Sequence, residues 1–411
     1  MPQIIKNKTA FHNAFGAFNR LRFGVAALSI SAGLVFGAFA GGNAASAQTS
    51  GVTDTKILLG QAAALEGAAA SLGIGMRQGM LAAFNEVNKA GGINGRTIDL
   101  ISYDDGYEPT RSIDQVRKLI NEDRVFALVG AVGTPTASAT QPIATEFGVP
   151  YIGAFTGAGF LRNAEFKNVI NVRATYAAET EAWIKYLVDE QGMERIALLY
   201  QDDGFGRVGL SGVTAALERR GMKTVAEATY QRNTTAVKTS LITIRREKPD
   251  AVVMVGAYKP IASFIRVAKS IDFTPTFVNI SFVGSSALQE ALGAMGEGVI
   301  ISQVVPYPWN RTIPLVDQYT NALRNNDPNA DPDFVTLEGY IVGRLVAEAL
   351  KGAGRDLTRE NFLDAIYDRG RFDLGGVVMQ FGNGDNQGMD DVFLTFIGGD
   401  GQFQEVNSQS N

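Results

Sequence analysis

Short apolar runs alternate with amphipathic stretches along most of this chain. The run KILLGQAA has the length and composition of a buried strand, and apolar residues then recur at helical spacing over 75–88. In the first part of the chain the predicted strands are 56–63, 97–103, 125–129 and 149–152, and the predicted helices are 75–88 and 110–122. Such alternation is typical of a parallel sheet with right-handed crossovers.

The alternation restarts after residue 168 and predicts a second sheet of the same kind. Its predicted strands are 195–200, 223–230, 251–255 and 276–280, and its predicted helices are 179–190, 206–220, 237–248 and 259–270. The remaining predicted elements are helices 314–324, 334–353 and 358–366 and two strands, 376–382 and 392–397, joined by the polar loop 383–391. Two α/β units in series form a cleft between them, and such clefts commonly bind ligands.

Two turns at strand ends carry polar groups suited to an anion. Thr134 is predicted to cap a helix with Pro135 at its first position, which leaves the next backbone amides without helical partners. Free amides beside a hydroxyl favour a ligand carboxylate. The segment Phe155-Thr156-Gly157 adds an aromatic face and a second hydroxyl from the neighbouring turn. The alternative is that both are ordinary strand-to-helix turns.

Four aromatic residues fall where a strand or extended segment gives way to a helix. They are Phe155, Tyr176, Phe205 and Tyr258. Residues at the mouths of two sheets would line the cleft between them, although packing in the core is the alternative for each one alone. Together they favour a ligand with an apolar part.

The N-terminus has the pattern of an export signal. Four basic residues precede the apolar segment 23–40, and Ala45-Ser46-Ala47 matches a signal-peptide cleavage site. We therefore predict a signal peptide over 1–47 and an exported mature protein; the alternative is a permanent membrane anchor, for which the segment is rather short. Removing 1–47 would change the formal net charge from −5 to −9, and an acidic chain without a basic run argues against a nucleic-acid partner.

The residue inventory restricts the possible chemistry. The chain has no cysteine, and its one histidine, His12, lies in the predicted signal peptide, so the mature chain has no Ser-His-Asp triad, no Cys-His pair and no thiolate or imidazole zinc site, while carboxylates, lysines and tyrosines remain. We predict no enzyme, no cofactor and no metal site. The GFGRVG stretch at 204–209 matches a dinucleotide-binding pattern, but Asp202 and Asp203 before it would repel a pyrophosphate, so a NAD-dependent enzyme is the less favoured alternative.

Five phrases of the sequence resemble one protein family. They are KILLGQAAALEGAAASLG, NEVNKAGGINGRTIDLISYDDGYEP, LVGAVGTPTASATQPIATEFGVPYIG, YQDDGFG and PDAVVMVGAYKP. Through them the chain resembles the type I periplasmic solute-binding proteins of ABC transporters, in the leucine/isoleucine/valine-binding group, over roughly residues 52–405. The resemblance implies an α/β fold of two Rossmann-like lobes with parallel-type sheets and three hinge crossings. By analogy, lobe one is 54–174 plus 305–372, and lobe two is 175–304 plus 373–411.

The resemblance also implies a ligand site in the cleft. Gly133 and Thr134 would bind a ligand carboxylate, and the turn around Thr156 would complete the polar pocket. Aromatic residues would close from lobe two, and Leu72 would act as an apolar lid. The full predicted set is Leu72, Gly133, Thr134, Phe155, Thr156, Gly157, Tyr176, Asp203, Phe205, Tyr258 and Ser281.

The sequence departs from the family at Ser281. The amino-acid binders have a carboxylate there that neutralises the α-ammonium group of the ligand, and an ammonium group without its counter-charge in a closed cleft is costly. Either Asp202 or Asp203 takes its place, or the ligand is not an α-amino acid.

The function that the resemblance implies is solute capture for transport. The chain would be a periplasmic receptor that binds a branched-chain or related hydrophobic amino acid by hinge closure, feeds an ABC transporter permease and meets the membrane only through that permease. The alternatives are a receptor for an aromatic or aliphatic carboxylate or amide, and a ligand sensor for a signalling partner.

Overall fold

Two sheets form the framework of the computed structural model, which describes residues 49–382 and 384–406. The predicted signal peptide, 1–47, lies outside the described residues. The first sheet has the order β2-β1-β3-β4-β5, and all its pairs are parallel. Its strands are β1 (Lys56–Ala63), β2 (Thr97–Asp104), β3 (Ala127–Val129), β4 (Tyr151–Ile152) and β5 (Val169–Ile170).

The second sheet has the order β14-β13-β10-β9-β8-β6-β7. Its strands are β6 (Ile196–Gln201), β7 (Ala226–Tyr230), β8 (Ala251–Val255), β9 (Thr276–Asn279), β10 (Ile300–Gln303), β13 (Phe393–Ile397) and β14 (Phe403–Glu405). The strands from β6 to β10 run parallel, and β13 and β14 add an antiparallel edge. This is the predicted α/β architecture with parallel-dominated sheets.

Eleven helices connect or cover these strands in the described chain. They are α1 (Ala70–Lys89), α2 (Pro109–Asn121), α3 (Thr134–Glu146), α4 (Tyr176–Ile184), α5 (Gly204–Glu218), α6 (Lys238–Arg246), α7 (Tyr258–Ser270), α8 (Ser285–Leu292), α9 (Pro314–Asn326), α10 (Phe334–Ala353) and α11 (Arg359–Arg369). Helix α4 continues as a π-helical segment, Lys185–Glu190, so the single predicted helix 179–190 has two parts and begins earlier. No helix among these combines the length and the apolar character needed to cross a bilayer.

Helices from the two ends of the chain cover the first sheet together. Helix α10 packs along α1, and α9 also contacts α1. The close approach depends on glycines, because a Cβ at Gly79 would lie 2.0 Å from the carbonyl oxygen of Thr336 and one at Gly339 would lie 2.4 Å from that of Met76.

The chain crosses from one sheet to the other after β5, after β10 and before β13. We call the first sheet with α1–α3 and α9–α11 the first half, and the second sheet with α4–α8 the second half.

The C-terminal strands pair differently from the sequence prediction. The predicted hairpin of 376–382 with 392–397 does not form. Instead β12 (Val378–Gln380) pairs with β11 (Arg371–Asp373), and β13 pairs with β10 and β14. The segment after β12 runs beside the end of β5, where the Gly388 and Met389 amides donate to the Asn171 and Val172 carbonyls. The exact lobe boundaries stay a prediction.

Candidate functional site

The turns after β3 and β4 place two threonine hydroxyls in contact. Thr134 Oγ1 lies 2.7 Å from Thr156 Oγ1, and both side chains are buried. The N-cap of α3 is Gly133, not Thr134 as predicted, because the Thr134 hydroxyl turns to Thr156 instead of to the helix amides. Gly133 has φ of 101°, and a Cβ there would lie 2.2 Å from the Tyr107 ring, so this turn requires glycine.

Five aromatic side chains meet where the two sheets face each other. Phe205 on α5 lies 4.6 Å from Phe282 and 5.4 Å from Tyr176, measured between ring centroids. Phe282, in the turn after β9, also lies 5.4 Å from Phe155 and 5.8 Å from Tyr107 of the first half. All five are essentially inaccessible to solvent. The rings therefore form one apolar contact surface between the halves.

The predicted apolar lid lies at one side of these rings. A Cβ at Gly284, in the turn after β9, would lie 2.5 Å from Leu72 Cδ2, so Leu72 packs directly against the second half. Next to it, Ser71 Oγ donates a hydrogen bond to Tyr258 Oη at 3.1 Å. Adjacent residues of α1 thus contact the second half at two points, Leu72 at Gly284 and Ser71 at Tyr258.

A buried charge cluster lies beside Phe155. The Arg173 guanidinium lies 4.3 Å from the Phe155 ring centroid, and its Nε lies 3.1 Å from Glu338 Oε1. Arg173 Nη2 donates to Ser281 Oγ at 2.8 Å. Ser281 in turn donates from its amide and its hydroxyl to the two carboxylate oxygens of Glu179, each at 2.9 Å, and Glu179 also accepts from the Ser302 hydroxyl.

Burial and neighbouring charges shift the titration of this cluster. Burial raises the pKa of Glu338 to about 7; the Glu179 carboxylate adds to the rise, and the guanidinium groups of Arg173 and Arg162 oppose it. Burial also raises the pKa of Glu179, against the influence of Arg173. Burial alone would lower the pKa of Arg173, but the Glu338 carboxylate, Tyr176 and Glu179 together outweigh it and the pKa is raised. Arg173 is therefore a fixed positive charge between two carboxylates.

Three donor atoms of Arg173 and Tyr176 have no partner with full hydrogen-bond geometry among the described residues: Arg173 Nε, Arg173 Nη1 and Tyr176 Oη. Arg173 Nε is nevertheless ion-paired with Glu338, which leaves Arg173 Nη1 and Tyr176 Oη. The Tyr176 hydroxyl is close enough to Thr156, Gly157 and Arg173 for these groups to affect its pKa. A Cβ at Gly157 would lie 2.7 Å from Tyr176 Cδ1, so this glycine gives the ring its space. Unpartnered buried donors are rare in native proteins and indicate a binding position.

Asp203 is engaged in local structure. Its Oδ1 accepts from the amides of Phe205 and Gly206 at the start of α5, and its Oδ2 accepts from Gln201 Nε2 at 2.6 Å and Arg232 Nη1 at 3.0 Å. This is the capping role expected of an aspartate before a helix. Its charge is paired with Arg232.

The glycines of the GFGRVG stretch allow close packing. A Cβ at Gly206 would lie 1.8 Å from the Gln201 carbonyl oxygen, and one at Gly209 would lie 2.5 Å from Val255 Cγ2. The stretch thus brings α5 against β6 and β8, which accounts for Gly206 and Gly209 without a dinucleotide, whereas a Cβ at Gly204 would meet no atom within 4 Å.

Polar contacts join the two halves at the rim. Arg232 Nη2 donates to Glu108 Oε2 at 2.9 Å, and Asn233 Nδ2 donates to Glu108 Oε1 at 2.7 Å. Lys259 Nζ donates to the carbonyl oxygen of Gly67 at 3.1 Å. Both halves therefore contribute to a closed boundary around the aromatic rings.

The predicted site residues take part in the contacts described above, and their role in ligand binding stays a prediction. Sequence reasoning missed several of their neighbours: Tyr107, Arg173, Glu179, Phe282 and Glu338. For Glu338 a signal existed, since it is a lone carboxylate within the apolar helix FVTLEGYIVGRLV. Phe282 lay directly beside Ser281 in the turn already singled out. Arg173 and Glu179 showed no comparable pattern.

The family profile described as "Periplasmic binding protein" matches residues 56–402. The chain belongs to this family. Among curated proteins it is 25% identical to the leucine-, isoleucine-, valine-, threonine- and alanine-binding protein of Pseudomonas aeruginosa, over 72% of this chain and 79% of that protein. The fold and the predicted resemblance are thereby confirmed.

Solved structures show the same relationship. A possible leucine/isoleucine/valine-binding protein from Rhodopirellula baltica SH 1 matches with 38% identity and a TM-score of 0.83, over 89% of this chain and 99% of that one. A substrate-binding periplasmic protein from Ralstonia solanacearum matches with 27% identity and a TM-score of 0.80, over 85% of this chain and 100% of that one. This periplasmic binding protein is thus of the Leu/Ile/Val-binding type, and the relatives named are binding proteins rather than enzymes.

Proposed function

We propose that this periplasmic binding protein is the substrate-binding component of an ABC importer and captures a small hydrophobic solute that carries a carboxylate. One observation supports this most: loops from both halves converge on a buried set of aromatic rings beside the Thr134 and Thr156 hydroxyls. Aromatic rings with a few convergent polar groups are the usual lining of a small-molecule site.

Capture works by hinge closure. The first half supplies Phe155 and the two threonines, and the second half supplies Phe205 and Phe282. A solute that contacts both sets favours the closed arrangement by its difference in affinity for the closed and open forms. The permease recognises the closed form, and the protein meets the membrane only through it. No step involves bond chemistry or a cofactor.

The proposed location follows from the family and from the N-terminal sequence. Export by the signal peptide over 1–47, with cleavage after Ala47, would deliver the protein to the periplasm. N-terminal sequencing of the protein recovered from a periplasmic extract tests this, and a start at Gln48 is expected.

Two kinds of ligand fit this proposal. The names of the relatives favour a branched-chain or related hydrophobic amino acid. The serine at position 281, in place of the carboxylate of the amino-acid binders, favours a hydrophobic carboxylate that lacks the ammonium group.

A ligand panel tests the proposed function. Thermal unfolding of the mature protein is measured with branched-chain amino acids, aromatic amino acids, the corresponding acids without the amino group, and sugars as the control. The proposal expects at least one amino acid or acid to raise the melting temperature and to reduce the radius of gyration in solution scattering. Stabilisation by sugars alone would refute it.

A further inference from the structure

The position of the unpartnered donors in the cluster restricts the ligand. The Tyr176 hydroxyl lies close to both Arg173 and Thr156, and Thr156 is hydrogen-bonded to Thr134. The guanidinium nitrogen Nη1 of Arg173 can only donate, Tyr176 can donate, and one of the two threonine hydroxyls can donate because the other uses its hydrogen in the Thr134–Thr156 bond. Three such donors suit an acceptor with several lone pairs, and a carboxylate has about four lone-pair sites.

We propose that Tyr176 Oη and Arg173 Nη1 bind the carboxylate of the ligand, and that the ligand carries no ammonium group. This inference rests on the proposed function and decides between its two kinds of ligand. The Tyr176 hydroxyl and the guanidinium would add directional, charge-assisted hydrogen bonds to the one from the Thr134–Thr156 pair.

The charge balance around the rings supports a lone carboxylate. Arg173 and Arg162 face Glu338 and Glu179, so the cluster is neutral when all four groups are charged. A protonated Glu338 leaves one positive charge in excess, and a ligand carboxylate neutralises it. A ligand ammonium group would instead add a second positive charge.

Three carboxylates near the rings are already committed. Glu179 accepts both hydrogen bonds of Ser281 and that of Ser302, and Glu338 pairs with Arg173. Asp203 caps α5 and pairs with Arg232. An ammonium group would therefore enter an aromatic site without a free counter-charge, and its desolvation would oppose binding.

The experiment tests the contributions of a ligand carboxylate and a ligand ammonium group separately. Calorimetric titration compares 4-methylpentanoate with leucine and 3-methylbutylamine, and 3-phenylpropanoate with phenylalanine and 2-phenylethylamine. Within each set the apolar part is constant. We expect the acid to bind at least tenfold more tightly than the amino acid, and the amine not to bind.

Two variants test the assigned donors. Tyr176→Phe removes a hydroxyl that has no partner in the protein, so the fold should persist while affinity for the acid falls about tenfold or more. Arg173→Lys keeps a positive charge beside Glu338 but removes Nη1, and a loss of similar size is expected; its melting curve checks the fold. The matched control is Tyr151→Phe, since that buried hydroxyl contacts Thr140 inside the first half, and no change in affinity is expected.

Each outcome decides the inference. Tighter binding of leucine or phenylalanine than of its acid overturns it and leaves the proposed function intact. Unchanged affinity for the acid in both Tyr176→Phe and Arg173→Lys also overturns the inference and leaves the proposed function intact. If no member of either set binds, the proposed function fails and the inference fails with it.

Discussion

Glu338 is the buried carboxylate of α10, a helix whose other buried positions are mostly apolar. It lies within α10, 2% exposed, and contacts the one guanidinium that also reaches the second half through Ser281. The groups that face it are Arg173, Arg162 and Glu179. Its protonation state therefore depends on both halves of the molecule.

The raised pKa of Glu338 predicts a pH dependence of stability. The native pKa of about 7 exceeds the ordinary value of 4.5, so between these values the folded protein binds more protons than the unfolded chain. The free energy of unfolding should fall as pH rises through this window, by about 3 kcal/mol from this group. Urea unfolding at pH 5, 6, 7 and 8 measures it.

The variant Glu338→Gln isolates this contribution. It cannot titrate, so its stability should fall less between pH 5 and 8 than that of the unmodified protein. Glu348→Gln, on the same helix and paired with Arg369, is the control and should follow the unmodified protein. Parallel pH curves for all three proteins would contradict the prediction.

The Thr134 hydroxyl is the second residue whose role can be isolated. If it meets a ligand carboxylate, Thr134→Ala should weaken binding by about 1 to 3 kcal/mol, because a buried hydrogen bond to a charged group is lost. Thr140→Ala is the control on the same helix, since its hydroxyl bonds the Thr136 carbonyl and Tyr151 inside the first half. Calorimetry that gives equal affinities for the two variants would remove Thr134 from the site.

Local patterns predicted some site residues and not others. Thr134, Phe155 and Phe205 follow apolar runs at strand ends, where sheet topology places ligands. Arg173 and Glu179 owe their position to partners more than 100 residues away in sequence, Ser281 among them. No periodicity records such a pairing, so these residues emerge only from the folded chain.

At the scale of elements, the start of α5 joins the two halves. Asp203 caps the helix, and the same carboxylate holds Arg232, which reaches Glu108 on the first half. A local capping interaction thereby fixes a contact across the rim. The element that presents Phe205 is thus also tied to the closed boundary.

This arrangement predicts the effect of Arg232→Ala. Loss of the partly exposed ion pair to Glu108 should reduce ligand affinity about two- to fivefold, because closure loses up to roughly 1 kcal/mol. The control is Arg220→Ala, which breaks ion pairs with Glu181 and Asp189 inside the second half. Titration should show a smaller effect for Arg220→Ala; an equal loss of affinity would mean that rim contacts do not govern closure.

A helix or strand could be predicted where its own residues determine it. The helix at 334–353 was predicted at its observed bounds, because its apolar residues and the preceding Asp333 cap specify it locally. The pairing of β12 with β11, and of β13 with β10, was not predicted. Strand pairing depends on residues that are distant in sequence, and neither apolar run near the C-terminus specifies by itself which strand it pairs with.

At the scale of the whole molecule, Trp309 lies between the two halves, in the segment that connects β10 to α9. Its ring stacks on Phe403 of β14 at 5.7 Å between centroids and meets Phe334 of α10 edge-on at 5.6 Å. Phe334 and Phe403 are themselves 5.5 Å apart. A rotation of one half relative to the other must change these ring contacts.

Trp309 fluorescence should therefore report hinge closure. The sequence contains two tryptophans, and Trp183→Phe leaves Trp309 as the only one. Addition of a ligand found by calorimetry should change its emission in a saturable way, with the calorimetric midpoint. A compound that shows no heat of binding is the control. Constant emission at full saturation would contradict hinge motion at this position.

The interleaving of the two halves along the chain has a consequence for biosynthesis. The first half needs α9–α11 and the strand-like segment around Gly388, and the second half needs β13 and β14. Neither can be finished until almost the entire polypeptide has left the ribosome. Long-range contacts of this kind slow folding, so the nascent chain stays extended and translocation-competent for longer than one whose domains are contiguous.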